Sequence, residues 1–480
     1  MMKRAVVFLF LSLVFLILVL LLFSRKNDEA VTSPQLLSDR NISEITEIAI
    51  SNQYDNYSVY QEEGGFAIAD LPMENVSAEY LLMLLDEAAR VEYLEQVFHT
   101  EKQLTESSLA AFGLDQPAAS ALIRYTPGDS LHLLFGGMER VSRGQYFMVK
   151  GDNAVYLMDH SRVVRFLQPL KRFINLEIVP VRKFTSPLST IKYLHLSGRA
   201  FPEPIIISEV RADNEADMRE SLGFGATTHI IRSPHLHKVD QKEALDVFES
   251  LTGLLNIEVL DYNCDDAALA HYGFDDPLVI ADYIYDKGDG SEPARIILKA
   301  VLYQGDYILV RDDQRIVHRV EKKAFLVTSY EKLASRWFLS PFITDVQSIE
   351  ISAGGHNYRF ELLGEDNRSL DVTLNGARLD INLFRKFYTL LISASNDGQL
   401  IQPDLSLKTR QASMPVLVVN FYYRDPLKEP DSMSFSPGSL RRHYVTVNGI
   451  TEFTCLERYA QVLETALLAI VKGEDFRTDW

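Results

Sequence analysis

Three ordered landmarks recur along this chain at near-constant spacing, and that recurrence limits the fold more than any other feature. Each repeat opens with a short alternating strand ending in serine: Ile48-Ala-Ile-Ser51, Leu194-His-Leu-Ser197 and Ile349-Glu-Ile-Ser352. Period-two alternation marks a strand with one buried face. A helix comes next. The first starts near Ser77 and sets Leu81, Leu82, Leu84, Leu85, Ala88 and Ala89 on one broad face. The second starts at Asp240, with Glu243 at the capping-box spacing, and carries Leu245, Phe248 and Leu251. The third starts at Asp380 and carries Leu383, Phe384, Phe387, Leu390 and Leu391. Apolar steps of three and four are the signature of a helix with one buried face.

A turn and a proline then lead into an apolar strand. The turns read Phe112-Gly-Leu-Asp-Gln-Pro117 and Tyr272-Gly-Phe-Asp-Asp-Pro277, while the third repeat keeps only Met414-Pro415. Glycine takes the left-handed conformation that stops a helical turn, and proline cannot continue a helix. The strands are Ala121–Tyr125, Ile280–Ile284 and Val416–Phe421, and each repeat closes with a second helix after a tyrosine-led strand: Tyr146–Val149, Tyr307–Val310 and Tyr444–Val447. Proline and tyrosine are separated by 29, 30 and 29 residues, and helix start and proline by 40, 37 and 35. Ordered landmarks at such spacing indicate duplication of one fold.

The expected architecture is α+β: an N-terminal transmembrane helix, then three tandem similar units with mainly antiparallel sheets. The spans are an anchor at 1–26, a polar linker at 27–44, and units at 45–185, 186–343 and 344–480, the last divergent. The connection after the first strand covers 26 and 28 residues in units one and three, but 43 in unit two. The extra length includes Asp213-Asn-Glu-Ala-Asp217 and Gly223-Phe-Gly225. Insertions map to surface loops, so this is one place to look for a specialised contact; a tolerated insertion is the plainer reading.

Ala5–Phe23 is nineteen residues with only Ser12 polar, bracketed by Lys3-Arg4 and Arg25-Lys26. As a helix it spans roughly 28 Å, enough for a bilayer core. Its Val, Ile, Leu and Phe residues each favour insertion by roughly 0.3–0.6 kcal/mol. A cleaved signal peptide has a shorter apolar run and a small-residue cleavage site, which Leu-Leu-Leu-Phe-Ser-Arg-Lys does not supply. An uncleaved anchor is therefore expected. The basic flanks nearly balance, and the α-amine tips the N-terminus to the cytoplasm, with the bulk of the chain extracytoplasmic.

Residues 1–26 hold four basic and no acidic side chains, leaving 44 basic against 66 acidic groups in the rest. Such a surface is repelled by nucleic acid, and no nucleic-acid role is expected. Two cysteines, Cys264 and Cys455, fit an exported chain without a disulfide framework. They either bridge or stay unpaired.

The anchor, the I-x-I-S strand, the Tyr/Phe-Gly-Leu/Phe-Asp-x-Pro turn and the Y-x-x-V strand together resemble the bacterial family catalogued as domain of unknown function 4340. The likeness is best over residues 45–180 and 191–341. Unit three departs from it, because Thr409-Arg-Gln-Ala-Ser-Met-Pro415 replaces the glycine turn. The resemblance implies an extracytoplasmic companion of membrane machinery, in some genomes near ABC-type transport or gliding components. It supplies no catalytic residues.

The residues themselves assign no catalytic, cofactor-binding or metal site. His229, His235 and His237 crowd together, but Pro234 interrupts them and no further ligand is identifiable. Ser329-Tyr-Glu-Lys332 matches S-x-x-K without the S-D-N and K-T-G elements that a serine acylase needs. Asp115 and Asp275 read as turn residues that bond nearby amides. Gly223-Phe-Gly225 and Gly288-Asp-Gly290 lack the context of a phosphate loop. The 22 Tyr and 26 Phe fit half-buried sheet surfaces. The leading expectation is a non-catalytic, membrane-anchored scaffold or adaptor whose partner is a membrane-protein complex such as a transporter. The alternatives are a module binding an envelope polysaccharide or lipid, and an envelope hydrolase.

Overall fold

The computed structural model describes residues 34–480, apart from 99–103, 140, 142–143, 184–185, 222–226, 365, 367 and 398–413. It is mostly β: four sheets, with 40% strand and 23% helix, which corrects the expected α+β class. The reason lies in the connections. Asn56–Glu62, Ser130–Met138 and Asp431–Pro437 fall between the landmarks, yet each buries alternate side chains and completes the ladder of a landmark strand. Backbone hydrogen bonding draws these connections into the sheets. The expected transmembrane helix, Ala5–Phe23, lies outside the described residues. Among the described residues no helix is long and apolar enough to cross a membrane.

The chain divides into two compact units, one ending at Leu176 and the other running from Glu177 to Trp480. The first holds an eight-stranded sheet. Its central strand, Ile45–Asn52, pairs antiparallel with Asn56–Glu62 on one side and Ala119–Tyr125 on the other. Gly65–Ile68 extends one flank; Ser130–Met138, Gly144–Val149, Val155–Asp159 and Glu95–Phe98 extend the other. Within the span expected to be a linker, Gln35–Asp39 is a strand paired with Arg90–Tyr93.

The second unit holds two further sheets, of nine and eight strands, built in the same order around Ile191–Ser197 and Val346–Ala353. The landmark strands therefore sit at the same place in each sheet. Ile48 faces Val59 and Ile123, Leu194 faces Ile207 and Tyr283, and Ile349 faces Phe360 and Phe421. All nine side chains are fully buried. The third sheet ends, among the described residues, at Ile450–Leu456, where the others carry one strand more.

The landmark helices Ala78–Ala89, Gln241–Ser250 and Ile381–Leu391 lie one over each sheet, joined by His160–Leu167 at the first and Glu457–Val471 at the third. Asp240 and Asp380 cap their helices through two backbone N–H groups each. The capping box expected at Glu243 is not completed, because the Asp240 N–H donates to the Leu333 carbonyl at 2.7 Å instead. Leu82 is 56% exposed, at the edge of the face expected to be buried. A buried tyrosine ties each helix end to a neighbouring element. Tyr125 donates to Ala88 O at 2.8 Å, Tyr283 to Leu251 O at 2.9 Å and Tyr459 to Leu391 O at 2.8 Å.

The glycine turns build a small core on the opposite face of the first two sheets. Leu114, Met148 and Val155 form one, with Phe112 against Tyr146 at 4.9 Å. Cys264, Phe274, Val301 and Val310 belong to the other, with Tyr272 against Tyr303 at 5.2 Å. Gly113, at φ +65°, lies so close to Gly137 that a Cβ would come within 2.8 Å of its nitrogen. A side chain there meets both strain and backbone.

Within the second unit, Phe453 on the edge strand Ile450–Leu456 is buried in the core around Ile191–Ser197, the neighbouring sheet. It stacks on Tyr330 at 5.9 Å and meets His237 edge-on at 6.0 Å. Phe453→Ala should lower unfolding stability by about 3–5 kcal/mol, the usual cost of emptying a buried Phe site. A urea transition followed by Trp337 and Trp480 fluorescence reads this; an unchanged midpoint would show that the ring is dispensable.

Candidate functional site

The long connection of the second repeat contains a helix, Glu215–Ser221, in place of a plain loop. Its anchor is Asp217, whose side chain is 1% exposed. Arg232 donates to both carboxylate oxygens, at 2.8 and 2.7 Å, and the Arg211 N–H donates at 2.9 Å. The Arg232 guanidinium holds the Asp217 carboxyl well below the usual carboxylate range. The helix is thereby fastened to the strand His229–Ser233.

Beside this helix lies a cleft of about 300 Å³. Ala216 and Glu220 of the helix form one wall, with His235 to Lys238 next to them. The segment Trp337 to Phe342, which joins the two repeats, forms the floor. Tyr423, Lys428, Asp431, Glu452 and Phe453 close the far side.

The polar groups of the cleft are organised. Tyr330 donates to Glu452, its hydroxyl 3.1 Å from both carboxylate oxygens, and His235 Nε2 lies 3.2 Å from Oε1 of the same group. The Lys238 N–H donates to Glu220 Oε1 at 2.8 Å. The Tyr423 hydroxyl donates to Asp431, whose other oxygen accepts from Asn448 Nδ2 at 2.9 Å. The Lys428 ammonium sits 3.6 Å from the centroid of the Tyr423 ring. Burial lowers the pKa of Lys238, opposed by Glu220 and reinforced by Lys428. Burial also raises Tyr330, with Glu452 adding to it. Trp337 is 45% and Phe342 39% exposed, so aromatic surface remains open beside the carboxylates.

The three histidines separate. His229 is buried, its Nε2 2.8 Å from the Ile191 carbonyl and its ring edge-on to Phe248, and burial lowers its pKa. His235 and His237 line the cleft. Among the described residues, no group of three or more His, Cys, Asp or Glu side chains is placed to hold a metal ion. Lys332 donates to the Val327 carbonyl at 3.0 Å, and Ser329 stands at the N-terminus of the four-residue helix Tyr330–Leu333. Asp115 and Asp275 are each exposed in their turns. Asp286 accepts from the Gly288 N–H at 3.0 Å in a surface turn, and Gly223-Phe-Gly225 lies outside the described residues. Cys264 and Cys455 are free and buried, in separate cores, and burial pushes both thiols up to about 12.

Sequence reasoning pointed to the insertion and to His235 and His237. It missed Glu220, Trp337, Lys428 and Glu452, which come from four separate stretches. The one available signal was Trp337-Phe-Leu at the junction of two repeats, an aromatic cluster where a polar linker is the rule.

The first two repeats share the packed glycine turn and the tyrosine-led strand. Residues 83–277 match the family model described as Domain of unknown function (DUF4340). The DUF4340 match runs from the first helix to Pro277 of the second glycine turn, so it includes the insertion helix and His235 to Lys238. No curated protein and no solved structure matches the chain.

Two predictions concern the second repeat. Arg232→Met should loosen the insertion helix, speeding amide exchange in residues 215–221 by about tenfold or more, the value of a lost charge-assisted pair. Replacing both partners, as Asp217→Leu with Arg232→Met, should restore part of the protection. Equal exchange in all three proteins would show that the pair does not hold the helix.

The second concerns His318, on the strand Val317–Val320 of the same sheet. It is 1% exposed, with Asn256 Nδ2 at 3.0 Å from its Nδ1, and burial brings its pKa down to about 4. The fold holds it neutral, so the unfolded chain takes up the proton first as pH falls. Its contribution is present above about pH 6.5 and is lost towards pH 4, by about 3 kcal/mol. His318→Gln should flatten that part of a stability–pH curve measured by urea unfolding.

Proposed function

We propose that this chain is a non-catalytic scaffold or adaptor that brings a membrane-associated complex together outside the cytoplasm. The observation that carries this reading is where the recurring residues go. The opening strands, glycine turns and tyrosine-led strands are spent on two-sided sheet packing, and similar surfaces are set out along one chain. Similar surfaces in tandem suit multivalent contact with a large partner. The cleft sits between two repeats and is walled by a helix specific to one of them. Its carboxylates Glu220, Asp431 and Glu452 accept hydrogen bonds from backbone, hydroxyl and amide donors of its walls. The apolar run at residues 5–23 supports a place at a membrane, and a transporter component is the partner to seek first.

A second reading, binding of an envelope glycan or lipid, draws on the exposure of Trp337, 45%. Crosslinking in intact cells followed by identification of the captured proteins tests the first. The expected outcome is a reproducible membrane-protein partner; recovery of the chain only as a free species would sink the adaptor reading.

A further inference from the structure

The cleft carries more negative than positive charge: Glu220, Asp345, Asp431 and Glu452 against Lys238 and Lys428. One of those cations shows how the site accommodates such a group. Lys428 belongs to the connection between the strands Leu417–Tyr423 and Asp431–Pro437, next to Leu427, which is 80% exposed. Its ammonium rests on the Tyr423 ring, and Tyr423 in turn donates to Asp431. An ammonium on an aromatic face backed by a carboxylate is a favourable seat for a cation. Trp337 presents a second aromatic face in the same cleft. Glu452 accepts from Tyr330 and lies 3.2 Å from His235 Nε2; a carboxylate has about four acceptor sites, so it retains capacity for a further donor. Ile450, 46% exposed at the mouth, offers apolar surface for a flanking side chain.

We propose that this cleft docks a Lys- or Arg-bearing segment of a partner protein, the cation lying on an aromatic face while Glu220 and Glu452 accept its hydrogen bonds. The inference rests on the adaptor reading and gives that partner a chemistry. An anionic ligand is disfavoured because it would enter against the excess of carboxylates.

The test uses the full chain and two labelled peptides, one alternating Arg and Leu, the other alternating Glu and Leu. Anisotropy is measured at roughly physiological salt, where bulk attraction is screened beyond about 8 Å. The Arg-Leu peptide should bind saturably and the Glu-Leu peptide should not. The double variant E220Q/E452Q should weaken binding by about tenfold or more. The matched variant E62Q/E63Q, in an exposed turn of the first unit, should change it by less than about twofold. Trp337→Ala, at an exposed position, should also weaken it by about fivefold or more and serves if the double variant does not fold. Equal weakening by both double variants, equal binding of both peptides, or no saturable binding would overturn the proposal. So would quenching of Trp337 by a neutral oligosaccharide without peptide binding. Crosslinking in cells separates the two levels: a partner still captured by E220Q/E452Q removes the cleft and leaves the adaptor, whereas no partner for the natural chain removes the adaptor.

Discussion

Everything else in the described structure is arranged around the antiparallel pairing of each central strand with two fully buried neighbours. Ile48, Leu194 and Ile349 each lie between two apolar residues directly across the ladder, and none is reached by solvent. Side chains alternate faces with period two, so slipping such a strand by one residue would send its buried set outward. The register is therefore fixed at the centre of each sheet. The helix laid over it, and the buried tyrosine that bonds the helix end, follow from that fixed surface.

The first two sheets are buried on both faces. Phe112 and Leu114, and Tyr272 and Phe274, come from short turns that fold back over the outer face. The left-handed glycine at the centre of each turn makes this reversal possible without strain, and at Gly113 the backbone of Gly137 leaves no room for a side chain. What reads in sequence as punctuation thus serves as a lid.

In the second unit the consequences run further. Phe453 leaves its own sheet and enters the core of the neighbouring one, and the aromatic segment after Trp337 fills the space between them. The insertion helix, held by Asp217 and Arg232, closes one side of what remains. A burial contact, a junction and an insertion together create a cleft in which carboxylates, lysines and open aromatic faces converge. None of the three elements would make it alone.

Legibility from sequence followed the range of the interaction. The starts of the second and third helices were visible because Asp240 and Asp380 act on amides two and three residues away. The landmark strands were visible because their apolar alternation is local. The share of strand was underestimated because hairpin partners such as Asn56–Glu62 lie between the landmarks, and only pairing shows that a short run with two buried residues, Tyr57 and Val59, belongs to the sheet. The insertion stood out by its length, yet nothing in Asp213-Asn-Glu-Ala-Asp217 announced that Asp217 would be buried against Arg232. By itself the sequence determined the central strands and the landmark helices, since each depends on neighbours within a few residues. Only the tertiary structure decided where Phe453 is buried and which charges meet Glu452, because those contacts join residues more than a hundred positions apart and no local spacing encodes them.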